Sequence, residues 1–137
     1  MKYGISFQLS GKEGSTLTNN TFHDMSAGFF SEPVGFTTIK NNKYSDNNFG
    51  IAIYHSSNGN IYNNLLKSNN VAVYITGDSI NNHIYKNIMA NNTFGVYFAD
   101  DTPKNNLIED NYINETSNPI IINGTNNIDA NNTVYWK

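Results

Sequence analysis

A four-residue signature recurs along the whole of this 137-residue chain. In each copy an aliphatic residue is followed by two other residues and then by asparagine. The six copies occupy residues 17–20, 39–42, 61–64, 84–87, 108–111 and 128–131. Their asparagines, Asn20, Asn42, Asn64, Asn87, Asn111 and Asn131, are separated by 22, 22, 23, 24 and 20 residues. A nearly constant period of this length is typical of a solenoid in which each repeat forms one supersecondary unit.

Short runs of alternating apolar residues lie between the signature asparagines, among them Ile51 and Ile53, and Val71, Val73 and Ile75. Alternation with a period of two predicts a strand with one buried face, and helical spacing is sustained nowhere. One repeat therefore holds two or three short strands joined by bends. We predict an all-β fold, a parallel β-helix of about six coils of about 22 residues, with residues 1–137 as a single domain.

The signature asparagines suit the bends of such a coil. Successive coils of a parallel β-helix lie about 4.8 Å apart, so equivalent side chains stack in columns. Asparagine tolerates the left-handed backbone region, and stacked asparagines can hydrogen-bond their side-chain amides from coil to coil. We interpret the six residues as an asparagine ladder, whose role is architectural.

The composition excludes several classes of function. Asparagine occurs 27 times, arginine is absent, and the net charge is -3. Without guanidinium groups or a basic face, a nucleic-acid partner is not expected. Cysteine is absent, so there is no thiolate metal site. No apolar run has the length of a signal peptide or a membrane span, and we expect no membrane partner.

Three segments resemble a known family: 48–53 (Asn-Phe-Gly-Ile-Ala-Ile), 56–64 (Ser-Ser-Asn-Gly-Asn-Ile-Tyr-Asn-Asn) and 91–98 (Asn-Asn-Thr-Phe-Gly-Val-Tyr-Phe). Their pattern is similar to the right-handed parallel β-helix repeats of the pectate-lyase-like superfamily, particularly the NosD-like and carbohydrate-binding or sugar-hydrolase type. The resemblance covers residues 4–137 and implies a right-handed solenoid. It implies no single activity, because the superfamily includes lyases, hydrolases, epimerases, adhesins, surface-layer proteins and phage tailspikes.

The carboxylates that the resemblance makes relevant are few. Lyases of this fold use an arginine or lysine base beside calcium-binding carboxylates, and of the galacturonase motifs only Asp100-Asp101 has a counterpart here. We predict that Asp78 shares a column with Asp101 and that His55 lies in the coil below. Such a corner could bind a hard cation, supply the acid and base of a glycosidase, or hold solvated turn carboxylates. We assign no catalytic residue, metal or cofactor, and keep Asp78, Asp100 and Asp101 as the candidates if the chain is an enzyme.

Two outward columns of tyrosine offer a different surface. Tyr62 and Tyr85 follow equivalent inward residues, and Tyr74 and Tyr97 lie between buried positions of neighbouring coils. Aromatic side chains on a flat sheet accept sugar rings or pack against another molecule, although an aromatic column also strengthens coil stacking. These four tyrosines are our candidate carbohydrate-binding residues.

Five Asn-X-Thr sequons begin at Asn19, Asn91, Asn114, Asn123 and Asn131. They suit a glycosylated protein that is extracellular or displayed on the cell surface. A chain in which one residue in five is asparagine also produces such triplets by chance. We treat the five asparagines as glycosylation candidates.

The ends of a β-helix expose unpaired backbone groups, and the sequence predicts no amphipathic capping helix at either terminus. Either the chain is a piece of a longer solenoid, or its ends pair between molecules and build a filament head to tail. Our leading hypothesis is a non-catalytic structural β-helix that is a cell-surface or filament subunit and also contacts polysaccharide. The alternative is a polysaccharide-active lyase, hydrolase or epimerase, or a fragment of one.

Overall fold

The computed structural model describes residues 2–8, 15–32 and 37–135, which form 18 strands in three parallel sheets of six. With strands numbered in chain order, sheet A contains β1 (Tyr3–Gln8), β4 (Ala27–Glu32), β7 (Phe49–Tyr54), β10 (Val71–Thr76), β13 (Phe94–Phe98) and β16 (Asn118–Ile121). Sheet B contains β2 (Ser15–Thr18), β5 (Thr37–Lys40), β8 (Asn60–Tyr62), β11 (His83–Tyr85), β14 (Leu107–Glu109) and β17 (Ile128–Ala130). Sheet C contains β3 (Thr21–His23), β6 (Lys43–Ser45), β9 (Leu65–Lys67), β12 (Ile88–Ala90), β15 (Tyr112–Asn114) and β18 (Thr133–Tyr135).

Each coil contributes one strand to each sheet, and equivalent strands of successive coils pair with each other. Ile61, for example, lies in register with Ile39 of the preceding coil and Ile84 of the following one. The six strands of each sheet make five pairings between successive coils. No helix long and apolar enough to cross a membrane occurs in the described residues. The predicted all-β parallel solenoid is confirmed.

Inward side chains from the three sheets fill one continuous core. Sheet B contributes the column Leu17, Ile39, Ile61, Ile84 and Ile108, and sheet C contributes Phe22, Tyr44, Leu66, Met89 and Ile113. All ten side chains are buried. A fully buried side chain of this size contributes about 1.5–3 kcal/mol. Because each inner coil covers its neighbours on both sides, stability comes from the stack and not from a single coil.

The predicted asparagine ladder runs along the corner between sheets B and C. Asn64 Oδ1 accepts hydrogen bonds from the backbone N–H of Asn42 at 3.0 Å and from Asn42 Nδ2 at 3.3 Å. Asn64 Nδ2 donates to the Ile39 carbonyl and to Asn87 Oδ1, both at 3.0 Å. The side chain thus satisfies backbone groups that the corner would otherwise bury without partners. The complete ladder contains Asn20, Asn42, Asn64, Asn87, Asn111 and Asn132.

The last member of the ladder differs from the sequence prediction. Asn132, and not Asn131, accepts the backbone N–H of Asn111, at 2.9 Å, whereas Asn131 occupies the preceding turn with a φ of 55°. The signature placed Ile128 inward, but Ile128 is 54% exposed and Asp129 pairs in register with the buried Ile108. Because side chains alternate along a strand, a one-residue error in register turns the strand over.

Two further ladders occupy the other two corners, and the signature did not reveal them. One contains Asn47, Asn69 and Asn92, and the other contains Asn82, Asn106 and Asn127. At each corner the residue before a ladder asparagine has a left-handed backbone, with φ of 55° at Asn63, 58° at Asn91 and 59° at Asn81. Asparagine adopts this conformation more readily than most residues. The repeated Asn-Asn pairs therefore combine a turn residue with a ladder residue.

Replacing one buried rung tests the ladder. We expect Asn64→Ala to lower the free energy of unfolding by about 3 kcal/mol, because it leaves the Asn42 N–H and the Ile39 carbonyl buried without partners. Asn70→Ala is the matched control, since Asn70 is exposed and its side chain donates to another surface amide, that of Asn48. We expect it to change stability by less than about 0.5 kcal/mol. Urea denaturation measures both, and equal losses would contradict a structural role of the ladder.

A second test concerns Tyr44, a core residue with 1% exposure. Its hydroxyl has no hydrogen-bond partner among the described residues, and burial raises the pKa of this phenol far above its ordinary value. An unpaired buried polar group costs about 1–3 kcal/mol. Tyr44→Phe keeps the ring that stacks on Phe22, with centroids 5.2 Å apart, and should raise the free energy of unfolding by about 1 kcal/mol. A loss of stability in the same denaturation assay would show that the hydroxyl is satisfied.

Candidate functional site

The outer surface of sheet A carries a connected group of aromatic side chains, which we term the aromatic face. It contains Tyr3, Phe30, Phe49, Tyr54, Tyr74, Phe94 and Tyr97. Neighbouring ring centroids lie 4.7–5.9 Å apart, within the range of favourable aromatic pairs. Phe30 is buried and the other six side chains are partly exposed. Parallel register thus gathers rings from five coils onto one flat surface.

Two glycines help to place large rings on this face. Strict alternation would turn Phe94 inward with Val96, yet the Phe94 ring contacts Tyr97 on the outer surface, at 4.9 Å between centroids. The following residue, Gly95, lies so close to the next coil that a Cβ would stand 2.2 Å from the Pro119 carbonyl oxygen. A Cβ on Gly50 would stand 2.7 Å from the Ala72 oxygen. Glycine at these two positions lets the backbones approach this closely, while the equivalent position of the coil between them holds the small Ala72.

A groove lies within the aromatic face above two alanines. Its lining consists of Tyr3, Ser26, Ala27, Phe30, Asn48, Phe49, Ala52 and Tyr54, and it holds about 440 Å³ of empty space, partly open to solvent. Tyr3, Ala27 and Phe49 follow one another in register on successive coils. The backbones that carry these two rings are therefore two coil spacings apart, about 10 Å, and the coil between them places only the Ala27 methyl group in this column. The small side chain of Ala27 thus forms part of the floor of the groove.

The groove is lined by neutral groups. Burial is the main cause that raises the pKa of Tyr54 to about 12, with further contributions from Tyr74, Tyr3 and Glu32. The Tyr54 phenol is therefore uncharged at physiological pH. Ser26 and Asn48 add a hydroxyl and an amide to the lining. Such a site offers apolar faces and neutral hydrogen-bonding groups to a ligand.

The tyrosine column on sheet B has different surroundings. Tyr62 and Tyr85 stack with centroids 4.8 Å apart, as their predicted register requires. The His83 ring lies 4.0 Å from the Tyr85 ring and places its Nε2 2.7 Å from Glu109 Oε1. Lys40 Nζ lies 6.0 Å from the centre of the Tyr62 ring. Desolvation by burial, and then the neighbouring Tyr62, raise the pKa of Tyr85. These rings are thus engaged by side chains of their own sheet.

The acidic corner is organised around Asp100. Its carboxylate accepts hydrogen bonds from the hydroxyls of Thr76 and Thr102 and from the backbone N–H groups of Thr102, at 3.0 Å, and Gly77, at 3.3 Å. Desolvation alone would raise the pKa of Asp100, but these hydrogen bonds outweigh it and hold the pKa well below its usual range. A carboxylate held in its ionised form in this way stabilises a turn and is a poor general acid.

Asp78 and Asp101, the other predicted members of this corner, are exposed. The backbone N–H of Asp78 donates to His55 Nδ1 at 3.3 Å. Among the described residues no three His, Asp or Glu side chains come close enough to hold a metal ion.

The five sequon asparagines lie in different settings. Asn19, Asn91 and Asn131 are exposed turn residues with positive φ. Asn114 is partly buried in β15, and its sequon threonine, Thr116, has 1% exposure. The remaining one, Asn123, donates through Nδ2 to the Phe98 carbonyl at 2.9 Å. The first three present their side chains best for modification, and occupancy of the sequons stays a prediction.

Sequence reasoning found two members of the aromatic face, Tyr74 and Tyr97. It missed Tyr3, Phe30, Phe49, Tyr54 and Phe94. For Phe49 and Phe94 the reason is that alternation alone does not show where a close-packed glycine breaks the pattern. The Phe-Gly pairs at 49–50 and 94–95 are the sequence pattern that could have located these outward rings. In both pairs the phenylalanine lies on the outer surface and the glycine packs closely against the backbone of the next coil.

Comparison with families of known proteins agrees with this architecture. A family model described as a right-handed beta helix region matches residues 1–135. Neither the curated proteins nor the solved structures include a match to the chain. The family match spans nearly all of the sequence, including every described strand. The chain therefore belongs to the right-handed β-helix family.

Proposed function

We propose that this protein is a non-catalytic, extracellular or cell-surface β-helix that binds polysaccharide on its aromatic face. The observation that carries the proposal is the groove above Ala27 and Ala52, where aromatic rings stand on both sides of a neutral floor. The C–H faces of a sugar ring pack on aromatic rings, and its hydroxyls need polar partners such as Ser26 and Asn48.

The ligand is a neutral polysaccharide. The described residues that line the groove include no Lys, His, Asp or Glu, and the net charge of -3 disfavours a polyanion such as a polyuronate. The aromatic face continues from the groove to Tyr74 and Tyr97, which gives a chain of several sugars further rings to contact. A rigid stack of coils keeps these rings in fixed positions, which lowers the entropy lost on binding.

The alternative function, cleavage of a polysaccharide at the Asp78, Asp100 and Asp101 corner, has less support. Asp100 is engaged by the hydrogen bonds of its turn, and its depressed pKa is opposite to the raised pKa that a glycosidase acid requires. Head-to-tail assembly, predicted from the sequence, stays a prediction. Such assembly depends on which side chains the last described coil exposes to the first coil of a neighbouring molecule.

Binding to a panel of neutral polysaccharides, measured by affinity electrophoresis and calorimetry, tests the proposed function. We expect Phe49→Ala to weaken binding about tenfold, the effect of losing about 1.4 kcal/mol of aromatic contact. Ala52→Leu should weaken it at least as much, because the larger side chain fills the groove floor. Tyr85→Ala on sheet B is the matched control and should leave affinity unchanged.

Urea denaturation of each variant ensures that lost binding does not reflect lost folding. Equal weakening by Tyr85→Ala and Phe49→Ala would move the binding surface away from the aromatic face. Unchanged affinity in Ala52→Leu would show that the groove takes no sugar.

The enzyme alternative has a separate test. Wild-type protein incubated with neutral and uronate polysaccharides should release neither reducing nor unsaturated sugar. Release that is lost in Asp101→Asn would contradict the proposed non-catalytic function and support the acidic corner as a catalytic site.

A further inference from the structure

The inward column of sheet B ends on a carboxylate. Leu17, Ile39, Ile61, Ile84 and Ile108 are followed in register by Asp129. Asp129 is exposed because no described coil covers it. The next inward column, that of sheet C, ends on Val134, which is apolar and 47% exposed. The face of the last described coil therefore combines an apolar edge with one charge at a core position.

Asp129 also closes the asparagine ladder. In an inner rung Asn111 Nδ2 donates to the Ile84 carbonyl and to Oδ1 of the next rung, Asn132, both at 2.9 Å. Asn132 Nδ2 donates to the Ile108 carbonyl at 2.8 Å, and its second hydrogen bond goes to Asp129 Oδ1 at 2.6 Å. The carboxylate thus takes the place of the rung that a further coil would supply.

A neighbouring ladder ends in a similar way within the last coil. Asn127 Nδ2 donates to the Pro103 carbonyl at 2.9 Å and to the Asn123 carbonyl at 2.8 Å, with no rung from a further coil. Side-chain donors at two corners of this face are therefore already satisfied.

The described residues of the first coil match this face on sheet B and at the ladder corner, except for the charge. They present Leu17 in the same column and Asn20 at the start of the ladder, and no described group donates to Asn20 Oδ1. A second copy stacked head to tail would set Leu17 over Asp129 and bury the carboxylate against an aliphatic side chain. Burying an unpaired charge is strongly unfavourable, and inward-pointing charges are a known protection of exposed sheet edges.

We propose that Asp129 is a capping charge that prevents the last coil from stacking on the first coil of another copy of this chain. The partner that the charge excludes is a second copy, because the first coil is complementary to this face in column and ladder register. Stacking at this face is independent of polysaccharide binding, since the face lies at the last described coil and not on the outer surface of sheet A.

Three variants test the cap by sedimentation velocity and electron microscopy. Asp129→Leu restores the aliphatic column and should strengthen self-association by about 100-fold or more, giving elongated particles of constant width. Asp129→Asn removes the charge but keeps an amide at the core position, and should strengthen association about tenfold. Asp110→Asn is the control, because it makes the same charge change at an exposed turn residue, and it should behave like wild type.

Mixing distinguishes end-on stacking from other aggregation. A small fraction of wild-type chain added to Asp129→Leu should shorten the particles, since its first coil can join a growing end while its own Asp129 stops the next addition. Wild type that assembles as readily as Asp129→Leu would overturn the proposal. So would an Asp129→Leu variant that unfolds at the wild-type midpoint but stays monomeric, or particles whose length wild type does not change. If Asp129→Leu does not fold, the comparison of Asp129→Asn with Asp110→Asn tests the proposal instead. Self-association of Asp129→Asn that is no stronger than that of Asp110→Asn would show that Asp129 is not a cap.

Discussion

Hydrogen bonding of the corner backbone by buried asparagine side chains is the interaction on which this structure depends. Each turn of the coil has three corners, and the backbone groups there point into neighbouring coils where water cannot reach them. An asparagine amide supplies both a donor and an acceptor at one position, so Asn64 can serve the coils before and after it. Because every inner rung makes the same bonds, the corners stay in register, and with them the strands of all three sheets.

Strict register determines the surface as well as the core. Equivalent outward positions stack about 4.8 Å apart, so a side chain at one position contacts the equivalent side chains of the coils above and below it. Alternation of large and small side chains, as in Tyr3, Ala27 and Phe49, opens a groove between rings. Repetition of large ones, as in Tyr74 and Tyr97, extends the aromatic face. The same stacking that stabilises the coil thus produces a flat, rigid surface suited to an extended ligand.

The period of the signature was sufficient to predict the parallel solenoid, the inward positions of Ile61, Ile84 and Ile108, and five rungs of one ladder. It failed at the last coil, where the spacing falls to 21 residues and Asp129 takes the position that Ile128 was expected to fill. A pattern of aliphatic residues cannot identify a coil whose inward residue is charged. The two additional ladders were missed for a related reason. Asn69 follows Leu66 at the fixed distance, but the other asparagines of these ladders do not follow Leu, Ile or Val at that distance, so the signature does not repeat there.

The sequence by itself determined the kind of fold, because a 22-residue period of alternating strands and Asn-rich turns can bury its apolar face only by stacking coil on coil. It also supplied the composition that disfavours nucleic acid, through the absence of arginine. Only the tertiary structure decided which side chains share a surface. The groove joins Tyr3 to Phe49 across two turns of the chain, and Asp129 meets Asn132 at an end face. Those contacts depend on the register between coils, because a shift of one residue would turn the side chains involved to the opposite face of the sheet.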